Sequence, residues 1–247
     1  MNLIHIDIKQ EEHAYLNNIQ FDMSECGILG ILGPNGAGKS SLLHYMAELT
    51  SQNAFPQREV NHPIACYRAV VTQMTQSTID LCVLDVILLG GYALQAHHLQ
   101  KRVWVEELAT QFSITHLLSR SYDSLSGGQK QLIHILRAFL QLKETPKHAV
   151  LLLDEPTSAL DLAYQKQVLK TLKTYCQQQA MCIVIILHDL NLAARYADYI
   201  LMIKEGHQIA FGRTKNILTP NNIKTVFDYD ALILPHPTED YPIITEA

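Results

Sequence analysis

Short, continuous runs of apolar residues recur along the chain, and several end in turn-forming or polar residues. Such runs occupy residues 28–32, 69–71, 150–153 and 183–187. An apolar run without alternation is typical of a strand buried on both faces, as in a parallel sheet. Apolar residues at helical spacing lie between these runs. The pattern therefore predicts strands that alternate with helices in an α/β fold.

The helical patterns divide into two groups. Those that alternate with the apolar runs predict helices at 39–49, 164–179 and 190–199. Between residue 81 and about residue 142 the pattern indicates helices without a convincing strand, at 84–94, 103–112 and 127–140. We interpret this second group as a helical subdomain inserted into the α/β core. A short strand at 207–211 and a tail with several prolines follow.

These patterns predict one domain over residues 1–247. Its α/β core comprises 1–80 and 146–212, its helical subdomain 81–145, and its C-terminal extension 213–247. We found no internal repeat and no low-complexity segment.

Composition narrows the possible functions. The chain has 247 residues, of which 17% are charged, and a formal net charge of −5, so nucleic-acid binding is not expected. No apolar stretch reaches the roughly 18–20 residues that span a bilayer, and the first nine residues do not resemble a signal peptide. We expect no direct membrane insertion. Five cysteines without a Cys-x-x-Cys pair fit reduced cytosolic thiols.

The strongest motif is a phosphate-binding loop at 33–40 that fits the pattern G-x-x-x-x-G-K-[ST]. A predicted strand precedes it and a predicted helix follows. Glycines let backbone amides converge on a phosphate, and the helix directs its partial positive end there. Lys39 supplies a charge for the phosphates, and the Ser40 hydroxyl suits Mg²⁺. The predicted nucleotide-binding residues here are Gly33, Pro34, Asn35, Gly36, Ala37, Gly38, Lys39, Ser40 and Ser41.

A second motif is an acidic pair at the end of the predicted strand 150–153. Ligands of open α/β sheets bind at the carboxyl ends of the strands. Asp154 suits Mg²⁺, which keeps much of its hydration shell, and Glu155 is placed to polarise a water for attack on the γ-phosphate.

A third motif, Leu-Ser-Gly-Gly-Gln at 125–129, opens a predicted helix. Ser126 suits the N-cap position. Two glycines just inside a helix cost about 1 kcal/mol each relative to Ala, which favours a functional reason for them. Backbone amides beside a hydroxyl form a second anion site. The predicted ligand-binding residues here are Ser126, Gly127, Gly128 and Gln129.

Together these motifs resemble the nucleotide-binding subunit of an ATP-binding cassette (ABC) transporter, and the resemblance covers nearly all of the chain. It implies a P-loop NTPase core with a mostly parallel sheet, a small antiparallel N-terminal β part and the inserted helical subdomain. It adds Gln73 as the Q-loop glutamine, Asp161 of the D-loop at 158–161, and His188 as the switch histidine.

The resemblance also implies how these residues act. ATP and Mg²⁺ are the expected ligands, and Ser40, Gln73 and Asp154 are the expected Mg²⁺ ligands. Glu155, His188 and Gln73 are the expected catalytic residues. In such a protein two subunits pack head to tail. Each ATP then lies between the phosphate-binding loop at 33–40 of one subunit, the P-loop, and the motif at 125–129 of the other, the signature. Asp161 then contacts the partner subunit.

The family pattern is not matched everywhere. Many members stack an N-terminal aromatic residue on adenine; Tyr15 is the nearest candidate, but its offset differs. Leu132 stands where an arginine is common, and Ser41 where a threonine is common.

The later part of the chain resembles the importer branch for iron chelates, haem and cobalamin. Residues 187–198, Leu218-Thr-Pro220 and Val226-Phe227 carry this resemblance, and Leu234-Pro-His-Pro237 looks most like haem importers. The resemblance implies that this chain acts at the cytoplasmic face of the inner membrane. Its implied partners are a transmembrane permease and, through it, a periplasmic or surface binding protein.

Three alternatives to haem import remain open at this point. The cargo could be a ferric siderophore or cobalamin, because the ATPase does not touch it. A soluble ABC ATPase without a transport role carries the same motifs, and so does a nucleotide switch that barely hydrolyses. Co-purification with a polytopic protein distinguishes transport from the second alternative, and turnover below about 10⁻³ s⁻¹ indicates the third.

Overall fold

The structure is a computed structural model that describes residues 4–9, 15–48, 67–72, 80–145 and 149–247. The chain divides into two compact units. The first comprises Met1–Glu59 and Cys182–Ala247, and the second comprises Val60–Met181. The predicted Q-loop residue Gln73 lies outside the described residues. The division into core, helical subdomain and extension stays a prediction.

Parallel strands form the centre of the first unit. Strand β3 (Ile28–Leu32) is buried at all five positions. It pairs in parallel with β6 (Cys182–Ile186) on one side and with β7 (Tyr199–Lys204) on the other. Strand β8 (His207–Arg213) pairs antiparallel with β7. Burial on both faces explains the unbroken apolar runs of β3 and β6, and the mostly parallel sheet is confirmed.

The N-terminal β part is an antiparallel pair. Strand β1 (Ile4–Ile8) pairs with β2 (Ile19–Met23), and alternate residues of both are buried. This alternation is typical of a strand with only one face packed on a core. The small antiparallel N-terminal part is confirmed.

The helix predicted at 190–199 is too long. Helix α6 spans Leu190–Tyr196, and Tyr199 already begins β7. Between them, the Asp198 carboxylate accepts a hydrogen bond of 2.9 Å from the backbone N–H of Ile28, which ties the start of β7 to β3. The apolar residues of β7 continue the apolar face of α6, so the pattern alone conceals the boundary.

The second unit holds a parallel strand pair and the helical insertion. Strand β4 (Arg68–Val71) pairs with β5 (Val150–Leu153). Between them, residues 80–145 form helices and turns without a strand, which confirms the insertion. Its α-helices are α2 (Val83–Leu88), α3 (His98–Gln111) and α4 (Gly127–Gln141), with short 3-10 helices at Leu89–Ala93, Thr115–Leu117 and Tyr122–Ser124.

Two predicted helix boundaries in the insertion were wrong. The helix predicted at 84–94 continues as a 3-10 helix after Leu88, where a Cβ on Gly90 would lie 2.0 Å from the backbone oxygen of Arg137 in α4. Helix α3 begins at His98, five residues before the predicted start at 103. The sequence of α3 is mostly polar and has no strong apolar face. The spacing of its apolar residues therefore predicted only the later part of the helix.

Helices also flank the strands of each unit. Helix α1 (Lys39–Glu48) follows β3 in the first unit, and α5 (Leu162–Gln179) follows β5 in the second. No helix within the described ranges is both long and apolar enough to cross a membrane.

The C-terminal extension is more ordered than the proline-containing tail predicted from the sequence. It contains helices α7 (Thr214–Ile217) and α8 (Pro220–Phe227), and an antiparallel pair of strands, β9 (Ala231–Pro235) and β10 (Pro242–Glu246). The Thr219 hydroxyl caps α8, where Pro220 opens the helix. Proline suits that position because its missing N–H has no helical partner there.

Candidate functional site

The loop at 33–40 connects the buried strand β3 to α1 in the first unit. Gly36 and Gly38 have φ angles of 77° and 96°, in the left-handed region that side chains disfavour. A Cβ on Gly36 would meet nothing within 4 Å, so backbone conformation, rather than packing, requires glycine there. The loop therefore turns sharply while its Gly36 surface stays bare.

Lys39 is held inside this loop. Its side chain is 6% exposed, and its ammonium donates hydrogen bonds to the backbone oxygens of Gly33 (2.9 Å) and Pro34 (2.8 Å). A buried ammonium without such partners would be costly. The two carbonyl groups thus keep a positive charge beneath the loop.

The start of α1 adds to this positive potential. The helix has ten residues and no acidic residue in its first turn, so its partial positive end is not neutralised by its own side chains. Ser40 and Ser41 stand in this first turn and are half-buried. Amides, an ammonium and hydroxyls at one turn form a donor set that fits a phosphate.

His188 lies at the same sheet edge as the loop. It is exposed and follows β6, the parallel neighbour of β3, and the hydrogen bond from Leu187 N to Ile31 O extends that pairing by one residue. The Asp189 carboxylate caps α6 by accepting from the backbone N–H groups of Asn191 (2.7 Å) and Leu192 (3.0 Å). The cap fixes the turn that presents His188. Sequence reasoning missed Asp189, although an Asp just before a helical pattern is an N-cap signal.

Tyr15 also lies against the phosphate-binding loop. Its ring is 71% exposed, whereas its backbone oxygen would be 3.3 Å from a Cβ on Gly38. Its sequence offset differs from the family pattern, yet the fold places it beside the start of α1.

The acidic pair lies in the second unit, directly after β5. The Asp154 side chain is 4% exposed. Its backbone N–H donates to the Val71 oxygen at 2.9 Å, so the pairing with β4 continues to Asp154 and fixes the position of its backbone. Glu155 has a φ of 47°, which is uncommon for a residue with a side chain. Strain of this kind, on the order of 1–2 kcal/mol, persists where the surroundings hold the backbone, often at functional sites.

The signature motif closes its own turn. The Gln129 N–H donates to the Ser126 hydroxyl at 3.3 Å, and the Ser126 N–H donates to the Gln129 side-chain oxygen at 3.0 Å. This reciprocal pair is a capping box, which fixes the start of α4. The N-cap role considered for Ser126 is therefore observed.

The two signature glycines have different surroundings. A Cβ on Gly128 would lie 2.4 Å from the backbone oxygen of Ala159, so the fold requires glycine there. A Cβ on Gly127 would meet nothing within 4 Å, the residue is exposed, and its φ is not left-handed. Neither packing nor backbone strain explains why residue 127 is a glycine. What the glycine does provide is a surface without a side chain at the start of α4.

Asp161 has a local role as the N-cap of α5. Its carboxylate accepts a hydrogen bond of 3.0 Å from the backbone N–H of Tyr164. Asp161 and its neighbour Leu162 are both exposed. The end of the D-loop therefore stands at the surface of the second unit.

The first unit thus carries the P-loop residues, Tyr15 and His188, and the second carries the acidic pair, the signature and Asp161. Sequence reasoning also missed Gln131, a buried polar residue of α4. A glutamine within a helical pattern gives no signal in the sequence that its side chain will be buried.

The sequence model of the ABC transporter family matches residues 16–158, which is more than half of the chain. This chain belongs to the ABC transporter family. As a member it binds ATP and hydrolyses it.

Curated relatives match over nearly the full chain. A hemin import ATP-binding protein, HmuV, of Vibrio vulnificus is 35% identical over 237 residues, which cover 92% of this chain and 91% of that protein. The proteins of the same name from Deinococcus radiodurans and Shewanella denitrificans are 37% and 34% identical and cover 94% and 99% of this chain, and 91% and 99% of their own lengths.

Solved structures agree with this assignment. A chain of an ABC transporter described as metal-chelate type, in an inward-facing conformation, has a TM-score of 0.80 and 29% identity, and covers 100% of this chain and 97% of that one. The cbiO1 protein of Clostridium perfringens has a TM-score of 0.71 at 22% identity, with 92% and 96% coverage, and shows the shared fold.

Proposed function

We propose that this chain is the ATPase subunit of a haem importer. The relatives named for hemin import, at 34–37% identity over more than nine-tenths of the chain, are the observation that carries this proposal. The likeness to a metal-chelate type transporter at 29% identity supports it. The subunit works in a head-to-tail pair at the cytoplasmic face of the inner membrane, with a permease and, through it, a periplasmic binding protein.

In this proposal the first unit holds the nucleotide. Lys39 binds the β- and γ-phosphates together with the loop amides and the start of α1, and the exposed ring of Tyr15 stacks on adenine. His188 contacts the γ-phosphate from the neighbouring strand end. The aromatic ring suits adenine because stacking on a base is favourable by about 1–3 kcal/mol.

The second unit supplies the carboxylates. Ser40, Asp154 and Gln73 are the proposed Mg²⁺ ligands, and hydroxyl, carboxylate and amide oxygens are the donors that this hard cation prefers. When bound, Mg²⁺ neutralises charge on the phosphates. Glu155 orients and polarises the attacking water. Because phosphoryl transfer depends mainly on positioning and charge stabilisation, the held backbone of Glu155 supports its role.

The signature is proposed to bind the ATP of the partner subunit. Gly127 supports this role because neither packing nor backbone conformation explains a glycine at that position. The Ser126 hydroxyl and the first amides of α4 are neutral donors suited to the γ-phosphate. Asp161 and Leu162 are exposed in the same unit and fit the surface that meets the partner.

The helical insertion is proposed to contact the permease. Half of the ten large apolar side chains that are exposed among the described residues fall between residues 81 and 103. They are Leu81, Leu89, Tyr92, Leu99 and Val103. Exposed apolar side chains concentrated in one segment mark an interaction surface.

Replacing Glu155 with Gln tests the catalytic part of the proposal. The variant keeps the shape of the side chain but loses the base, so kcat should fall by about 10²–10⁴-fold while ATP binding persists and the dimer is trapped. Glu246→Gln on β10 removes the same charge from an exposed position and is the control. Steady-state phosphate release and gel filtration with ATP measure both effects. Hydrolysis by Glu155→Gln at the control rate would remove Glu155 from the catalytic role.

The cargo is tested with the permease that co-purifies from detergent-solubilised membranes. In proteoliposomes with its binding protein, haem should stimulate ATP hydrolysis and enter the lumen, whereas a ferric siderophore or cobalamin should do neither. Stimulation by a siderophore or cobalamin alone would assign the protein to another cargo. Absence of any membrane partner would contradict a transport role.

A further inference from the structure

Gln131 is a buried amide in the second unit, and its partner is the proposed catalytic glutamate. Its side chain is 4% exposed and lies in α4, four residues after Gly127. Its Nε2 donates a hydrogen bond of 2.8 Å to the backbone oxygen of Glu155. Burying an amide is unfavourable unless it is hydrogen-bonded, so this bond specifies one position of Glu155 relative to α4.

The backbone of Glu155 needs such support. Its φ of 47° lies in the left-handed region, where a side chain is disfavoured. Its oxygen also accepts from the Ser158 hydroxyl (3.0 Å) and the Ser158 N–H (3.2 Å), but these bonds lie within the same loop. Gln131 donates to this oxygen from another element, α4.

A second contact ties α4 to the same loop. The backbone oxygen of Ala159 would be 2.4 Å from a Cβ on Gly128, so helix and loop are packed without room for one methyl group. The Gln165 amide of α5 also donates to the backbone oxygens of Thr157 (2.9 Å) and Leu160 (3.1 Å). The loop at 155–161 therefore contacts two helices, and we expect a shift of α4 to act on it directly.

We propose that Gln131 is a positioning residue that couples the signature to Glu155 of the same subunit. The inference rests on the proposed head-to-tail dimer. There, the signature of one subunit binds the partner's ATP, while its Glu155 acts on its own ATP. Gln131 thus transmits occupancy of one site to the catalytic glutamate of the other, which makes hydrolysis cooperative.

Gln131→Met tests this coupling, because methionine keeps the length of the side chain but has no N–H donor. Gln141→Met is a matched control, since Gln141 lies at the other end of α4 and donates the same kind of bond, 3.0 Å to the Arg68 oxygen. We expect kcat of Gln131→Met to fall about 10–100-fold, because misplacing a catalytic group by ~1 Å has an effect of that order. Half-saturating ATP should change by less than about twofold, since the P-loop is intact.

The cooperativity of ATP hydrolysis distinguishes a positioning role of Gln131 from a general loss of stability. The Hill coefficient for ATP should fall towards one in Gln131→Met and stay at the wild-type value in Gln141→Met, although both lose a part-buried hydrogen bond to a backbone oxygen. A Gln131→Met protein with the kcat and Hill coefficient of Gln141→Met overturns the proposal. If Glu155→Gln is inactive at the same time, the proposed function stands and only the coupling fails.

Gln131→Glu provides a second readout. An ionised carboxylate cannot donate to the Glu155 oxygen, whereas a protonated one can, and burial favours protonation. The activity of Gln131→Glu relative to wild type should therefore rise at least about threefold from pH 8 to pH 6. Gln141→Glu should show a flat ratio. A flat ratio for Gln131→Glu also overturns the proposal.

Discussion

The P-loop and the signature both place glycines at the start of a helix, yet they are built differently. In the P-loop, Gly36 and Gly38 allow left-handed backbone, and Lys39 is enclosed by the loop's own carbonyl groups. In the signature the glycines have ordinary φ angles, and the side chains of Ser126 and Gln129 close the turn.

Charge is the second difference. Lys130 follows the signature directly in sequence. Its ammonium lies 5.0 Å from the centre of the Tyr122 ring and 3.8 Å from an Asp123 carboxylate oxygen, so local groups share its charge. We therefore expect the P-loop to hold a phosphate by itself, whereas the signature offers neutral donors and a bare surface. Accordingly, we expect the P-loop alone to be needed for ATP affinity, and both regions to be needed for turnover.

Removing the P-loop charge should have the largest effect on binding. Lys39→Met loses the charged hydrogen bonds to the phosphates, worth about 1.5–3 kcal/mol, so the Kd for ATP should rise roughly 10–150-fold. Titration calorimetry measures this rise. Lys170→Met, on the exposed side of α5, is the control and should bind ATP normally. An unchanged Kd in Lys39→Met would show that the P-loop charge is not needed for ATP affinity.

Covering the signature surface should affect turnover and leave affinity intact. Gly127→Phe adds a side chain into open space, so the unfolding temperature should not fall, while kcat should drop about 10–100-fold because the partner's nucleotide is blocked. Phosphate release and calorimetric unfolding measure the two effects.

Gly128→Ala is the structural counterpart of that variant. Its Cβ would meet the Ala159 oxygen at 2.4 Å, so the free energy of unfolding should fall by about 1–3 kcal/mol. Gly127→Phe with wild-type turnover, or with an equal loss of stability, would show that the two glycines do not differ as proposed.

A pair beside the signature, the buried Tyr122 and the partly buried His134, predicts the smallest effect. The Tyr122 hydroxyl and His134 Nε2 are 2.7 Å apart, and burial, followed by the charge of Arg137, lowers the pKa of His134 from 6.5 to about 4. The unfolded chain therefore binds more protons between these values, and stability is lost as the pH falls from about 6.5 towards 4. Screening of this half-exposed ring reduces the loss to about 1–2 kcal/mol.

His134→Gln tests this pH dependence. The variant cannot take up the proton, so between pH 7 and pH 4.5 it should lose about 1–2 kcal/mol less stability than wild type in urea titrations. Equal losses in the two proteins would show that another group causes the acid sensitivity.

Features that depend on local sequence could be predicted. The strands at 28–32 and 150–153 were found because both faces are buried, and the start of α4 because Ser126 is a capping residue. The P-loop and the signature were recognised because each is continuous in sequence.

Features that depend on distant partners could not be predicted. Strands β9 and β10 are short, carry prolines and are stabilised by contacts such as the Asn191 amide, which bonds the backbone of Ile244 in both directions, at 3.0 and 2.8 Å. Gln131 resembles any helical surface glutamine until the fold brings Glu155, 24 residues away, to its amide.

Mixing two impaired variants, at an ATP concentration too low to saturate Lys39→Met, tests the central claim most directly. Lys39→Met has a defective P-loop and an intact signature. Gly127→Phe has an intact P-loop and a blocked signature. In a head-to-tail mixed dimer, one of the two sites combines the intact P-loop with the intact signature. About half of the dimers in an equimolar mixture are mixed and each has one intact site, so activity should rise above that of either variant, to at most about a quarter of the wild-type rate. It should stay below a quarter, because the second site of the mixed dimer is empty and no longer stimulates the first through Gln131. Recovery above the separate components supports the shared site, and a mixture no more active than its separate components would contradict it.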